Sequence, residues 1–124
     1  MVVDDFTEFK SQIIELAVDK KAIDIRGYDV KNYLWLTDYI LVMGVSNVVH
    51  CKALTTEIIK WFGTFLDSDL GHLGIQGINQ SGDNKSGWVI LDMGSIIIHC
   101  INDESRQFYK LDDFFEQQGV VYHF

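Results

Sequence analysis

The chain contains no proline and only two cysteines, Cys51 and Cys100, among its 124 residues. Two cysteines are too few for the disulfide framework of a small secreted domain. No apolar run approaches the ~20 residues that a transmembrane helix needs. Basic residues are also scarce, because 10 Lys and Arg face 18 Asp and Glu and give a formal charge of -8. This charge opposes binding to a nucleic-acid backbone and favours a basic protein as partner.

The composition indicates a globular protein with one domain over residues 1–124. Hydrophobic residues make up 48% of the chain and aromatic residues 13%, which excludes a disordered protein. The N-terminal residues show no secretory leader, and their acidic character disfavours a transit peptide. We therefore expect a cytoplasmic protein without membrane contact.

Hydrophobic spacing predicts helices and strands that alternate along the chain. Helices are expected over about residues 5–20, from a cap at Ser46 or Asn47 to a point before Gly71, and briefly around residues 108–115. Strands are expected at about residues 22–26, 39–43 and 73–78 and as a hairpin over 88–100, with a polar loop at 79–86.

The hairpin from Trp88 to Cys100 is the most informative stretch. Its apolar runs are typical of strands covered on both faces, and Gly94 supplies the positive φ that a tight turn needs. Because some connections are hairpins and another spans a helix, the sheet should be mixed. We predict an α/β fold, a three-layer α/β/α sandwich around about five strands.

The sequence offers little for catalysis or metal binding. Its histidines and cysteines lack the short paired spacings of zinc ligands, so we expect no metal and no cofactor. Nucleotidyl transfer needs a Gly-Ser turn and paired carboxylates that hold Mg²⁺. The nearest matches are Gly44-Val45-Ser46, which has an extra residue, and Asp67-Ser68-Asp69, which lies in a predicted exposed turn. We expect a protein that is not an enzyme, with a nucleotidyltransferase-like enzyme as the alternative.

Several blocks occur in one order at consistent spacing: Lys21–Ile25, Leu36–Val42, Gly87–Gly94, Ile98-His99 and Arg106–Leu111. Together they resemble the ribosomal silencing factor family, also called Iojap-like proteins, over about residues 5–115. The resemblance implies a small α/β/α protein whose fold is similar to nucleotidyltransferases but which acts as a binder.

The resemblance also implies a function and a partner. Members bind ribosomal protein fourteen, a basic protein of the large ribosomal subunit, and thereby block joining of the small subunit and repress translation. Little or no direct nucleic-acid binding is then expected. Members can also dimerise when free, and a homodimeric adaptor with no ribosomal role is a second alternative.

The predicted partner-binding residues combine carboxylates with rigid aromatic side chains. Asp38 and Asp92 border strongly apolar strands, so we expect their carboxylates to emerge at the rim of the sheet. For His99, a structural hydrogen bond and a place in the interface are both open. The full set of candidates is Asp38, Tyr39, Trp88, Asp92, Met93, His99, Arg106 and Tyr109.

Overall fold

The computed structural model describes residues 5–65 and 68–124 and contains a mixed six-stranded sheet between helices. The strands are β1 (Ile23–Asp29), β2 (Tyr39–Val45), β3 (Ile75–Asp83), β4 (Trp88–Gly94), β5 (Ile96–Asn102) and β6 (Val120–His123). Their order across the sheet is β3-β4-β5-β2-β1-β6. The central pair β2 and β5 is parallel and the other pairs are antiparallel. The predicted α/β class and mixed sheet are confirmed.

The helices begin at polar caps that the sequence supplies. They are α1 (Phe6–Asp19), α2 (Val48–Gly63), α3 (Asp103–Phe108) and α4 (Leu111–Glu116), with a 3₁₀ turn at Gly71–Leu73. The Asp5 carboxylate accepts the Glu8 N–H at 2.7 Å, and the Asn47 side chain accepts the His50 N–H at 2.8 Å. Each bond satisfies a backbone donor that the first helical turn leaves free.

The two faces of the sheet carry separate apolar clusters. Side chains of α1 and α2, among them Phe9, Ile13 and Leu54, pack with alternate strand residues in the larger cluster. The smaller cluster lies on the opposite face, where Leu111 and Phe115 of α4 cover parts of β1, β2 and β5. No helix among the described residues is long and apolar enough to cross a membrane.

The structure differs from the expected pattern at its edges. The sheet has six strands where about five were expected, because β6 adds a short strand beside β1. Residues 79–83, expected in a polar loop, continue β3. An edge strand with exposed side chains needs no apolar residues to form its ladder, so hydrophobic spacing misses it. The short C-terminal helix is two helices, α3 and α4, separated by Lys110, whose φ is 50°.

The predicted hairpin turn is confirmed at Gly94. This residue has a φ of 96°, and a Cβ at its position would lie 2.5 Å from the Gly74 carbonyl oxygen. Both observations require glycine there. The Thr37 hydroxyl donates to the Gly94 carbonyl at 2.9 Å, and the Ser95 hydroxyl donates to the Leu73 carbonyl at 2.7 Å. The turn is therefore fixed to two neighbouring segments.

Candidate docking site

Strand β4 is sealed on one face and open on the other. Val89, Leu91 and Met93 point to the α1 and α2 side and are at most 1% exposed. Trp88, Ile90 and Asp92 alternate with them on the opposite face and are only half-buried. Because side chains of a strand alternate between faces, this pattern marks part of the sheet that α3 and α4 leave uncovered.

Strand β3 extends the open area with polar side chains. Asn79 pairs with Asp92, Ser81 with Ile90 and Asp83 with Trp88, so each pair shares a face. The three β3 residues are exposed. We call these six residues the docking face: Asn79, Ser81, Asp83, Trp88, Ile90 and Asp92.

An aromatic groove lies at one end of the docking face. Its cavity of about 330 Å³ lies between β4 and α3 and is lined by Gly82, Ser86, Trp88, Ile90, Ser105 and Tyr109. The Trp88 and Tyr109 ring centroids are 5.3 Å apart, and Tyr109 is 59% exposed. Such a pair presents large apolar area with little conformational freedom to lose, as in protein interfaces. The structure thus brings these two predicted residues together.

His99 lies beneath the groove and orients Trp88. The Trp88 Nε1–H donates to His99 Nδ1 at 3.0 Å. An indole nitrogen only donates, so Nδ1 is the acceptor and the neutral ring carries its proton on Nε2. Burial lowers the pKa of His99 to about 4, which keeps the ring neutral near pH 7. With 8% of its surface exposed, His99 contributes to the groove mainly by holding Trp88.

The other end of the docking face combines the Asp92 carboxylate with exposed apolar side chains. Asp92 Oδ1 accepts the Gly94 N–H at 2.9 Å. A cavity of about 290 Å³ joins Asp92 to Leu36, which is 59% exposed. Trp35, the next residue, is 94% exposed. Trp35 and Leu36 are not among the residues predicted from the sequence, although an apolar run in a connection between two predicted strands was an available signal.

Besides His99, three further predicted residues are buried. Met93 is 1% exposed and Tyr39 is 3% exposed, and both point to the α1 and α2 side. Arg106 is 4% exposed, and its guanidinium donates to both carboxylate oxygens of Asp112 at 2.6 and 3.0 Å. It also donates to the Asp24 carbonyl at 2.8 Å. In this conformation these side chains support the site from inside and do not line its surface.

Asp38 is exposed but lies apart from the aromatic groove. Its backbone N–H donates to the Ser95 carbonyl at 3.1 Å, which places it beside the hairpin turn. It lines a cavity with Phe6 and Lys10 of α1, on the opposite face from Asp92. The two carboxylates thus lie at one end of the sheet but on different faces.

The nearest sequence matches to a nucleotidyltransferase site lie at the end of a strand and in a loop. Within residues 5–65 and 68–124, no group of three or more His, Cys, Asp or Glu side chains could hold a metal ion. Gly44 and Val45 are buried at the end of β2, and the Asp69 carboxylate accepts the Gly71 N–H at 2.9 Å. Asp67, the other carboxylate of the weak nucleotidyltransferase match, lies outside the described residues.

The fold and the site together define a class: an α/β/α protein whose sheet has one open face with acidic and aromatic side chains. More particularly, the chain belongs to the ribosomal silencing factor family, since the family model described as "Ribosomal silencing factor during starvation" matches residues 3–122. The expected family is confirmed.

Individual relatives agree with this membership. The ribosomal silencing factor of Bacillus subtilis is 26% identical over 94 residues, which cover 76% of this chain and 73% of that protein. A mouse protein named "Mitochondrial assembly of ribosomal large subunit protein 1" is 23% identical over 100 residues, covering 81% of this chain and 42% of that protein. A Chromobacterium violaceum crystal structure shares the fold with a TM-score of 0.73 and 21% identity, covering 91% of this chain and 88% of that chain.

Proposed function

We propose that this protein represses translation by binding the large ribosomal subunit through ribosomal protein fourteen and sterically blocking the small subunit. The proposed activity is binding alone, without a chemical step. The family supports a role at the ribosome, and the name of the mouse relative refers to the large subunit. The ribosomes on which the chain acts are proposed to be cytoplasmic, which would place the protein in the cytoplasm.

The docking face is the observation that carries the proposal. Together with the adjoining aromatic groove, it combines the Trp88–Tyr109 pair with the carboxylates of Asp83 and Asp92 on one uncovered side of β3 and β4. Aromatic side chains supply most of the binding energy at many interfaces, and complementary charge accelerates encounter with a basic partner. The formal charge of -8 acts in the same direction. Binding should therefore weaken as salt concentration rises.

The direct test is cosedimentation with purified large subunits. Asp92→Asn removes a charge but keeps an oxygen that can accept the Gly94 N–H, and Tyr109→Ala removes an exposed ring. We expect the double variant to bind at least about tenfold more weakly, because interface aromatics often cost more than ~1.4 kcal/mol when truncated. The circular dichroism spectrum should remain unchanged.

A matched control carries the same chemistry on the other side of the molecule. Glu15→Gln with Tyr122→Ala also removes one negative charge and one exposed ring, from α1 and β6. This control should bind like the parent protein. Equal binding by both double variants would remove the docking face from the interface, and unimpaired subunit joining at saturating parent protein would refute the proposed repression.

A further inference from the structure

A second cavity lies on the opposite face of the sheet from the docking face. This lateral groove, of about 270 Å³, runs between α1 and β6 and is lined by Thr7, Lys10, Ser11, Ile14, Asp29, Tyr39, Tyr122 and Phe124. A neighbouring cavity of about 300 Å³ shares Lys10, Asp29 and Tyr39. The volume is just below the ~300–1,000 Å³ of sites for drug-sized ligands, which suits a smaller molecule.

Gly27 leaves room for the Tyr39 hydroxyl at the groove. At Gly27, in the middle of β1, a Cβ would collide with the Tyr39 hydroxyl and lie 2.8 Å from the Phe124 ring. The Tyr39 hydroxyl therefore occupies the space that a side chain at position 27 would fill. Tyr39 is 3% exposed as a residue, but within residues 5–65 and 68–124 its hydroxyl forms no hydrogen bond and is not one of the fully buried polar atoms, so it faces the cavity. A hydroxyl that borders a cavity without an internal partner is a group that a ligand can satisfy.

Two opposite charges border the same space. The Lys10 ammonium lies 4.0 Å from the Tyr39 ring centroid and 5.1 Å from that of Phe6. Burial lowers the pKa of Lys10, and the Asp29 carboxylate opposes this effect. Asp29 accepts the Lys31 N–H at 3.2 Å. Within the described ranges, neither Lys10 nor Asp29 forms an ion pair closer than 4.0 Å.

We propose that the lateral groove binds a free α-amino acid with an apolar or aromatic side chain. Its carboxylate would bind the Lys10 ammonium and the Tyr39 hydroxyl, and its ammonium would bind the Asp29 carboxylate. Its side chain would pack against Ile14, Tyr122 and Phe124, which supply the apolar part of the lining. A zwitterion matches the paired charges, whereas a simple anion would be repelled by a chain of formal charge -8.

The probe is L-phenylalanine, added to ¹⁵N-labelled protein and followed by NMR. It is titrated to about 20 mM, because a ligand of this size can bind with millimolar affinity. We expect saturable amide shifts at Gly27, Lys10 and Tyr122. Two analogues each lack one charge: 3-phenylpropionate has no ammonium, and phenethylamine has no carboxylate. Each should bind about tenfold more weakly, since a hydrogen bond to a charged group typically contributes that much.

Variants separate this site from an unspecific one. Lys10→Met keeps the aliphatic stem and should weaken phenylalanine binding about tenfold, and Tyr39→Phe should weaken it severalfold with no loss of folding. Lys52→Met removes an exposed lysine of α2 and should change nothing. An absence of saturable shifts would overturn the proposal, as would shifts that persist unchanged in Lys10→Met or equal affinity for all three probes. Ribosome binding by these variants is a separate measurement and does not decide the outcome.

Discussion

The two faces of the sheet are formed by the same strands but are covered by helices to different extents. On the α1 and α2 side, long helices cover most of β1, β2, β4 and β5, and the buried cluster runs from β1 to β3. On the other side, two six-residue helices cover parts of β1, β2 and β5 and leave alternate residues of β4 half-buried. An open face of the sheet therefore needs no special strand sequence. A face stays open where the helices that cover it end.

The short helices need anchoring that the long ones do not. Arg106 of α3 holds Asp112 of α4 through two hydrogen bonds and also binds the Asp24 carbonyl near β1. Tyr28 of β1 donates to the same Asp112 carboxylate. Burial would raise the pKa of Asp112, but the hydrogen bonds and charge of Arg106 outweigh it and lower the pKa overall. A buried ionic cluster thus replaces part of the apolar packing found on the sealed face.

Breaking this cluster should have the largest effect on stability. Arg106→Met leaves the Asp112 carboxylate partly buried without its cation, so we expect the free energy of unfolding to fall by about 3–5 kcal/mol in urea denaturation. Arg106→Met with Asp112→Asn should recover part of this loss, because asparagine is uncharged and still accepts from Tyr28. A double variant no more stable than the single one would show that apolar contacts, and not the ion pair, hold α3 and α4.

A neighbouring pair on β4 compares the two faces directly. Leu91 is fully buried on the sealed face, and Leu91→Ala should lower the free energy of unfolding by about 3 kcal/mol. Ile90→Ala, one residue away on the open face, should cost about 1 kcal/mol because its site is already half-exposed to water. Urea denaturation of both variants measures the contrast. Equal losses would mean that the docking face is as tightly packed as the core.

The sequence predicts the sealed face well because that face follows simple hydrophobic rules. The helical spacing of Phe9 and Ile13 and the apolar run of β2 indicate burial directly, and both are buried as expected. Asp5 and Asn47 also cap their helices as polar residues before an apolar run should. These features depend on residues close in sequence, so no tertiary information is needed.

The open face is less predictable because its character depends on distant elements. The sequence of β4 does not indicate which of its two faces a helix covers. Met93 and Trp88 are therefore equally good candidates for an exposed position. Their alternation places them on opposite faces, and only the position of the helices decides which is covered. Arg106 also looks like a surface cation, since its partners Asp24 and Asp112 lie in other elements.

A pH-dependent effect is predicted at the boundary between the two regions, where His99 supports Trp88 from below. Burial lowers the pKa of His99 to about 4, below its ordinary value of 6.5 in the unfolded chain. Between these two pKa values, His99 binds a proton in the unfolded chain but stays neutral in the folded protein. Folding stability therefore decreases as pH falls through this range. We expect this residue to remove about 2 kcal/mol between about pH 7.5 and about pH 5.

His99→Asn isolates that contribution because asparagine keeps an oxygen that can accept the Trp88 N–H but does not titrate. Carboxylates such as Asp112 titrate at lower pH in both proteins, so their effect cancels when urea denaturation of the two is compared. The parent should lose about 2 kcal/mol more than the variant over this pH range. An identical pH dependence would mean that water reaches His99 through the aromatic groove, and the boundary between sealed and open regions would then lie deeper than Trp88.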